Sequence, residues 1–62
     1  MNSREVIKAL KVAGFFVVDQ KGSHVQFKHP RRSGRVTVPH PRAELPIGTI
    51  RSIERQSGVK LR

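Results

Sequence analysis

Three histidines, His24, His29 and His40, are the side chains of this sequence best suited to moving a proton near neutral pH. His24 has the most suggestive setting. It follows Gly22 and Ser23, a turn signal, and sits at the head of the alternating segment Ser23-His24-Val25-Gln26-Phe27-Lys28-His29. Thirteen Lys and Arg face four acids, Glu5, Asp19, Glu44 and Glu54, for a net charge of +9. So positive a chain implies an anionic partner, nucleic acid first. An imidazole on such a surface points to cleavage of a nucleic-acid backbone.

The missing residues narrow the chemistry. Magnesium-dependent nucleases hold their metal with clustered carboxylates, and four scattered acids supply no such cluster. There is no cysteine, hence no thiol nucleophile, disulfide or thiolate zinc site. The histidine spacing matches no zinc pattern, and no phosphate-cradling glycine loop is present. The expectation is a reaction without metal or other cofactor. RNA fits that restriction, because its 2′-hydroxyl lies next to the scissile phosphate. A neutral imidazole takes the hydroxyl proton during in-line attack, and nearby cations offset the charge that develops on phosphorus. DNA lacks that hydroxyl.

His24 is the candidate base, with Lys28 and Arg35 as phosphate or transition-state binders. Gly22 and Ser23 shape the turn, and Gly22 lets a phosphate approach bare backbone. The donor to the departing 5′ oxygen stays open between water, Lys28 and His40. His40, held between Pro39 and Pro41, is also a candidate RNA contact. His29 reads as a partly packed strand end. Only three aromatics occur, all Phe, so base-stacking platforms are poor. A noncatalytic RNA-binding module of the same fold is the alternative, and a protein-interaction subunit that pairs with an acidic partner is a third reading.

These residues need elements to position them. Residues 1–62 make one domain, and so short a chain buries only about 60% of the surface its unfolded form exposes. Ser3 is expected to cap a first helix with Glu5 in its first turn, an apolar face of Val6, Ile7, Leu10 and Ala13, and Gly14 as its terminator. Phe15-Phe16-Val17-Val18 reads as a strand with apolar groups on both faces, which leaves one pair exposed as a candidate partner contact. After a turn at Lys21-Gly22, the strand from Ser23 to His29 turns Val25 and Phe27 to one side and His24, Gln26 and Lys28 to the other. The breakers Pro30 to Gly34 precede a third strand, Arg35 to Val38, with Val36 and Val38 inward. Pro46 starts a second helix, Ile47, Ile50 and Ile53 line its face, and Gly58 stops it. The result is an α+β fold of order α-β-β-β-α, with an antiparallel three-stranded sheet, both helices on the Val25/Phe27/Val36/Val38 face, and an open polar face around His24. The N-terminus carries no apolar leader run, and no stretch is long enough to span a bilayer, so a cytoplasmic protein is expected.

The segments KGSHVQFKHP, RVTVPHP and LPIGTIRSIERQSG, in this order, resemble the HicA toxins of bacterial toxin–antitoxin systems. The resemblance runs from the first helix to Gly58. It implies a double-stranded-RNA-binding-domain-like fold and an mRNA interferase, an RNA endonuclease that halts translation. It places His24 at the family's catalytic histidine and Gly22 at the glycine before it. It also implies a HicB-type antitoxin that covers the active face and makes the complex's DNA contacts. One position departs from the family pattern: Glu54 is charged where relatives often carry an apolar residue.

Overall fold

The computed structural model describes residues 1–62. Its elements follow the order α1 (Ser3–Val12), β1 (Phe16–Lys21), β2 (His24–His29), β3 (Arg32–Pro39) and α2 (Ile47–Ser57). The strands form one antiparallel sheet in the order β1-β2-β3. Ten apolar residues make the core, drawn from both helices, from β2 and β3, and from Phe15 and Leu45. Val25, Phe27, Val36 and Val38 are all buried, as their alternation requires, and the helices pack on that face. No helix is long and apolar enough to cross a membrane.

The helix ends show which local signals win. Asn2, not Ser3, caps α1: its side chain accepts the Glu5 N–H while the Glu5 carboxylate accepts the Asn2 N–H, a reciprocal capping box. The acid three residues after Asn2 is the signal for that register. Ser3 is released to a buried role described below. In α2, Ile50 and Ile53 are buried but Ile47, in the first turn, is exposed. Gly58 ends the helix in a left-handed conformation, φ 74°. Glu54 also has local work here: its carboxylate accepts the Leu61 N–H at 2.8 Å and ties the C-terminal tail to α2.

Several strand boundaries differ from expectation: β1 runs on to Lys21, and the turn is Gly22-Ser23 rather than Lys21-Gly22, so β2 starts at His24 rather than Ser23. Phe15 lies outside β1 and is buried, while Phe16, Val17 and Val18 are all exposed. The surplus apolar surface is therefore three residues, because the helices cover β2 and β3 and leave β1 as an open edge. A bulge at Val18, between the pairs Val17↔Phe27 and Asp19↔Gln26, marks this edge. β3 starts at Arg32 rather than Arg35, since only Pro30 and Arg31 form the turn. The added residues are absorbed by a bulge opposite Lys28, where Gly34 has φ 81°.

Candidate active site

The turn before His24 is a two-residue hairpin loop, Gly22-Ser23, with Lys21 directly opposite His24. Gly22 has φ 57° and no non-glycine residue has positive φ. Positive φ at the first loop position alone is the pattern of a type II′ turn, whose twist matches that of the flanking strands. A Cβ at Gly22 would meet nothing within 4 Å. The glycine is thus required by backbone conformation rather than by packing, and the space above it is open.

His24 begins β2 with its ring exposed, and that ring makes no hydrogen bond to the protein. Across the sheet it stands level with Lys21 on one side and Pro39 on the other. Side chains on directly opposed residues share a face, with Cβ atoms roughly 4.5–5.5 Å apart. Lys21 is therefore the cation that the register sets nearest to His24. Its signal in the sequence is the loop length: two loop residues pair the positions flanking them. The same face of the sheet also carries Gln26, Thr37, Lys28 and Arg35.

Lys28 and Arg35 sit farther along. Four residues of strand at about 3.3 Å each set Lys28 roughly 13 Å from His24. Arg35 donates from Nη1 to Gln26 Oε1 at 2.8 Å, which holds its guanidinium on the polar face midway along β2. Both cations therefore lie in the same direction from His24, toward the far end of β2.

The other two histidines are tied down. Both ring nitrogens of His29 are engaged: Nδ1 accepts the Arg31 N–H at 3.0 Å, so Nε2 carries the proton and donates to the Ala13 carbonyl at 3.1 Å. Its ring also meets Phe15 edge-on, with centroids 4.9 Å apart. It joins the end of β2 to the end of α1. His40 has the parity of Val36 and Val38, so its ring turns to the helix side, the opposite face from His24. There Nδ1 bonds the Ser3 hydroxyl at 2.7 Å. The structure thus brings Gly22, Ser23 and His24 together with Lys21, and separates His40 from His24 by the thickness of the sheet, although the His40 N–H donates to the Ser23 carbonyl at 2.7 Å.

No group of three or more His, Cys, Asp or Glu side chains is placed to hold a metal ion. What the arrangement supplies is an unencumbered imidazole, a cation level with it and an open glycine turn, at the edge of a polar face flanked by further cations.

Comparison with known proteins gives concordant matches. Residues 3–59 match the family model described as "HicA toxin of bacterial toxin-antitoxin". The fold is similar to a chain in a solved structure described as "HicA3 and HicB3 toxin-antitoxin complex", with 32% identity, full coverage of both chains and a TM-score of 0.88. A search of curated proteins finds no match.

Proposed function

This chain belongs to the HicA toxin family, and from that premise we propose that it is a metal-independent RNA endonuclease, the mRNA-cleaving toxin of a toxin–antitoxin pair, with His24 as its general base. The observation that carries the reading is the state of the His24 ring: exposed and free of hydrogen bonds, beside an open turn and level with Lys21 on a strongly positive chain. A ring held by the fold would have a nitrogen already committed.

The reaction follows from these groups. A neutral His24 nitrogen removes the proton from a 2′-hydroxyl. The freed oxygen attacks the adjacent phosphorus, and the bond to the 5′ oxygen breaks as that oxygen takes up a proton. The products are a 2′,3′-cyclic phosphate and a 5′-hydroxyl. Lys21 supplies positive charge at the phosphoryl oxygens, where charge accumulates in the transition state, and it is also placed to protonate the departing oxygen. Gly22 and Ser23 present backbone without bulk, and Lys28 and Arg35 hold neighbouring phosphates along the polar face. His40, turned away from that face, acts on RNA outside the reacting centre.

The antitoxin partner fits the same surface. Phe16, opposite Lys28 on the His24 face, Val17, opposite Phe27 on the other face, and Val18 at the bulge are exposed apolar side chains along the unpaired strand edge. A HicB-type protein seated there covers apolar area and closes the polar face in one contact.

The experiment is RNA cleavage by purified His24→Ala, with circular dichroism as the folding control and EDTA added to the parent protein. The expected result is a folded, inactive variant and a parent indifferent to EDTA. Full cleavage by the variant, or abolition by EDTA, overturns the mechanism.

A further inference from the structure

On the far side of the sheet end from His24 lies a polar cleft of about 350 Å³, between the start of α1 and the loop after β3. We propose that this cleft binds a phosphate group of the RNA strand adjacent to the segment being cut, with Arg4, Arg42 and His40 as its ligands. The proposal rests on the ribonuclease reading and adds a second anchoring point to it.

The cleft is built rather than incidental. Its floor is Ser3, a polar residue only 2% exposed. The Ser3 hydroxyl accepts the Arg42 N–H at 2.9 Å and reaches His40 Nδ1 at 2.7 Å and the Arg42 carbonyl at 3.3 Å. The Ser3 N–H donates to the same carbonyl at 3.0 Å. These bonds fix the loop against the helix. A phosphate in the cleft selects the tautomer in which the Ser3 hydroxyl donates to His40 Nδ1 and the imidazole proton sits on Nε2, facing the ligand.

Three of the four N–H donors of the helix start are spent inside the fold, and only that of Arg4 has no partner. The Ser3, Glu5 and Val6 N–H groups go to Arg42, to the Asn2 side chain and to the Asn2 carbonyl. Recognition therefore falls mainly to side chains. Arg4 and Arg42 both line the cleft and are exposed, and neither forms an ion pair: the one ion pair of the chain joins the Met1 amino group to Glu44. The acid beside Arg4, Glu5, is committed to the capping box. Two unpaired guanidiniums and an imidazole donor around one cleft suit a phosphate, which guanidinium binds in bidentate fashion.

The cleft's place identifies the source of that phosphate. His40 is hydrogen-bonded to Ser23, the residue before His24, and the Gly22 turn beside them is open. A strand cut on the His24 face passes over this end of the sheet and reaches the cleft within a short length of chain. Free phosphate shares the chemistry but not the connection to the site.

The test uses the Arg4→Gln/Arg42→Gln double variant. Binding of a single-stranded RNA 12-mer is measured over a salt series in a His24→Ala background, so that RNA stays intact. Loss of one phosphate contact lowers the log–log salt slope by about 0.7, and affinity at low salt falls about tenfold. The all-deoxy 12-mer loses the same increment, since the contact is to phosphate. Arg4→Lys/Arg42→Lys restores the slope. With His24 present, the double variant cuts saturating RNA within about twofold of the parent rate while its KM rises. An unchanged slope and affinity overturns the subsite and leaves the ribonuclease reading intact. Inorganic phosphate that binds the parent cleft as tightly as the 12-mer also overturns it, by making the ligand a free anion. Failure of the His24→Ala parent to bind RNA at all counts against the ribonuclease reading, whatever the arginines do.

Discussion

The two ends of β2 each carry a histidine, and the fold treats them in opposite ways. His29, at the far end, has both nitrogens bonded to backbone and its ring against Phe15. It packs so closely on Gly14 that a Cβ there would lie 2.8 Å from Nε2. His24, at the near end, is exposed and unbonded, with a cation level with it and open space over the neighbouring turn. They stand five positions apart, an odd spacing, so they fall on opposite faces of the sheet. A ring whose nitrogens are both committed holds two elements together. A ring whose nitrogens are both free is available to a substrate. In the proposed reading the same residue type in the same strand divides into a structural group and a chemical one, and composition alone could not have told them apart.

The comparison breaks most visibly at His24. Under the proposed mechanism, replacing it by Ala removes the general base, so cleavage should fall about 10²–10⁴-fold, with the melting temperature unmoved because the ring makes no hydrogen bond within the fold. Single-turnover cleavage and a thermal melt read the two halves. Lys21→Gln comes next, with cleavage down roughly 10–10²-fold, less than the loss of a buried oxyanion-hole donor because the site is exposed. His29→Ala should do the reverse of His24→Ala. It gives up two hydrogen bonds and an aromatic contact worth about 1–3 kcal/mol together, and about 4–8 °C of melting temperature per kcal/mol in a domain this small. Cleavage per folded molecule should not change. If His29→Ala proves inactive while fully folded, the division between the two ends of β2 is wrong.

Much of this arrangement was legible in the sequence, for physical reasons that vary by residue. The alternation of Val25, Phe27, Val36 and Val38 set the buried face, and with it the exposed side of His24, because strand parity leaves no freedom once one face is covered. Gly58 stopped α2 as its type suggests. Ser3 misled, since Asn2 is an equally good cap and only Asn2 has an acid at the right spacing; the serine instead anchors His40, a contact 37 residues away that no local pattern displays. Lys21 was visible as one of many cations, but its pairing with His24 depends on the turn being Gly22-Ser23 rather than Lys21-Gly22. The start of β3 was hidden because Ser33 and Gly34 look like turn residues and in fact form a bulge.

The central claim is that His24 uses the substrate's own 2′-hydroxyl. One measurement addresses it most directly: cleavage of an RNA oligonucleotide carrying a single 2′-deoxy nucleotide at the cut site, with analysis of the product ends on the unmodified strand. The account predicts no cutting at the deoxy position, largely unchanged binding, and 2′,3′-cyclic phosphate and 5′-hydroxyl ends on the normal RNA. Cutting of the deoxy site at the parental rate, or a 5′-phosphate product, would contradict it.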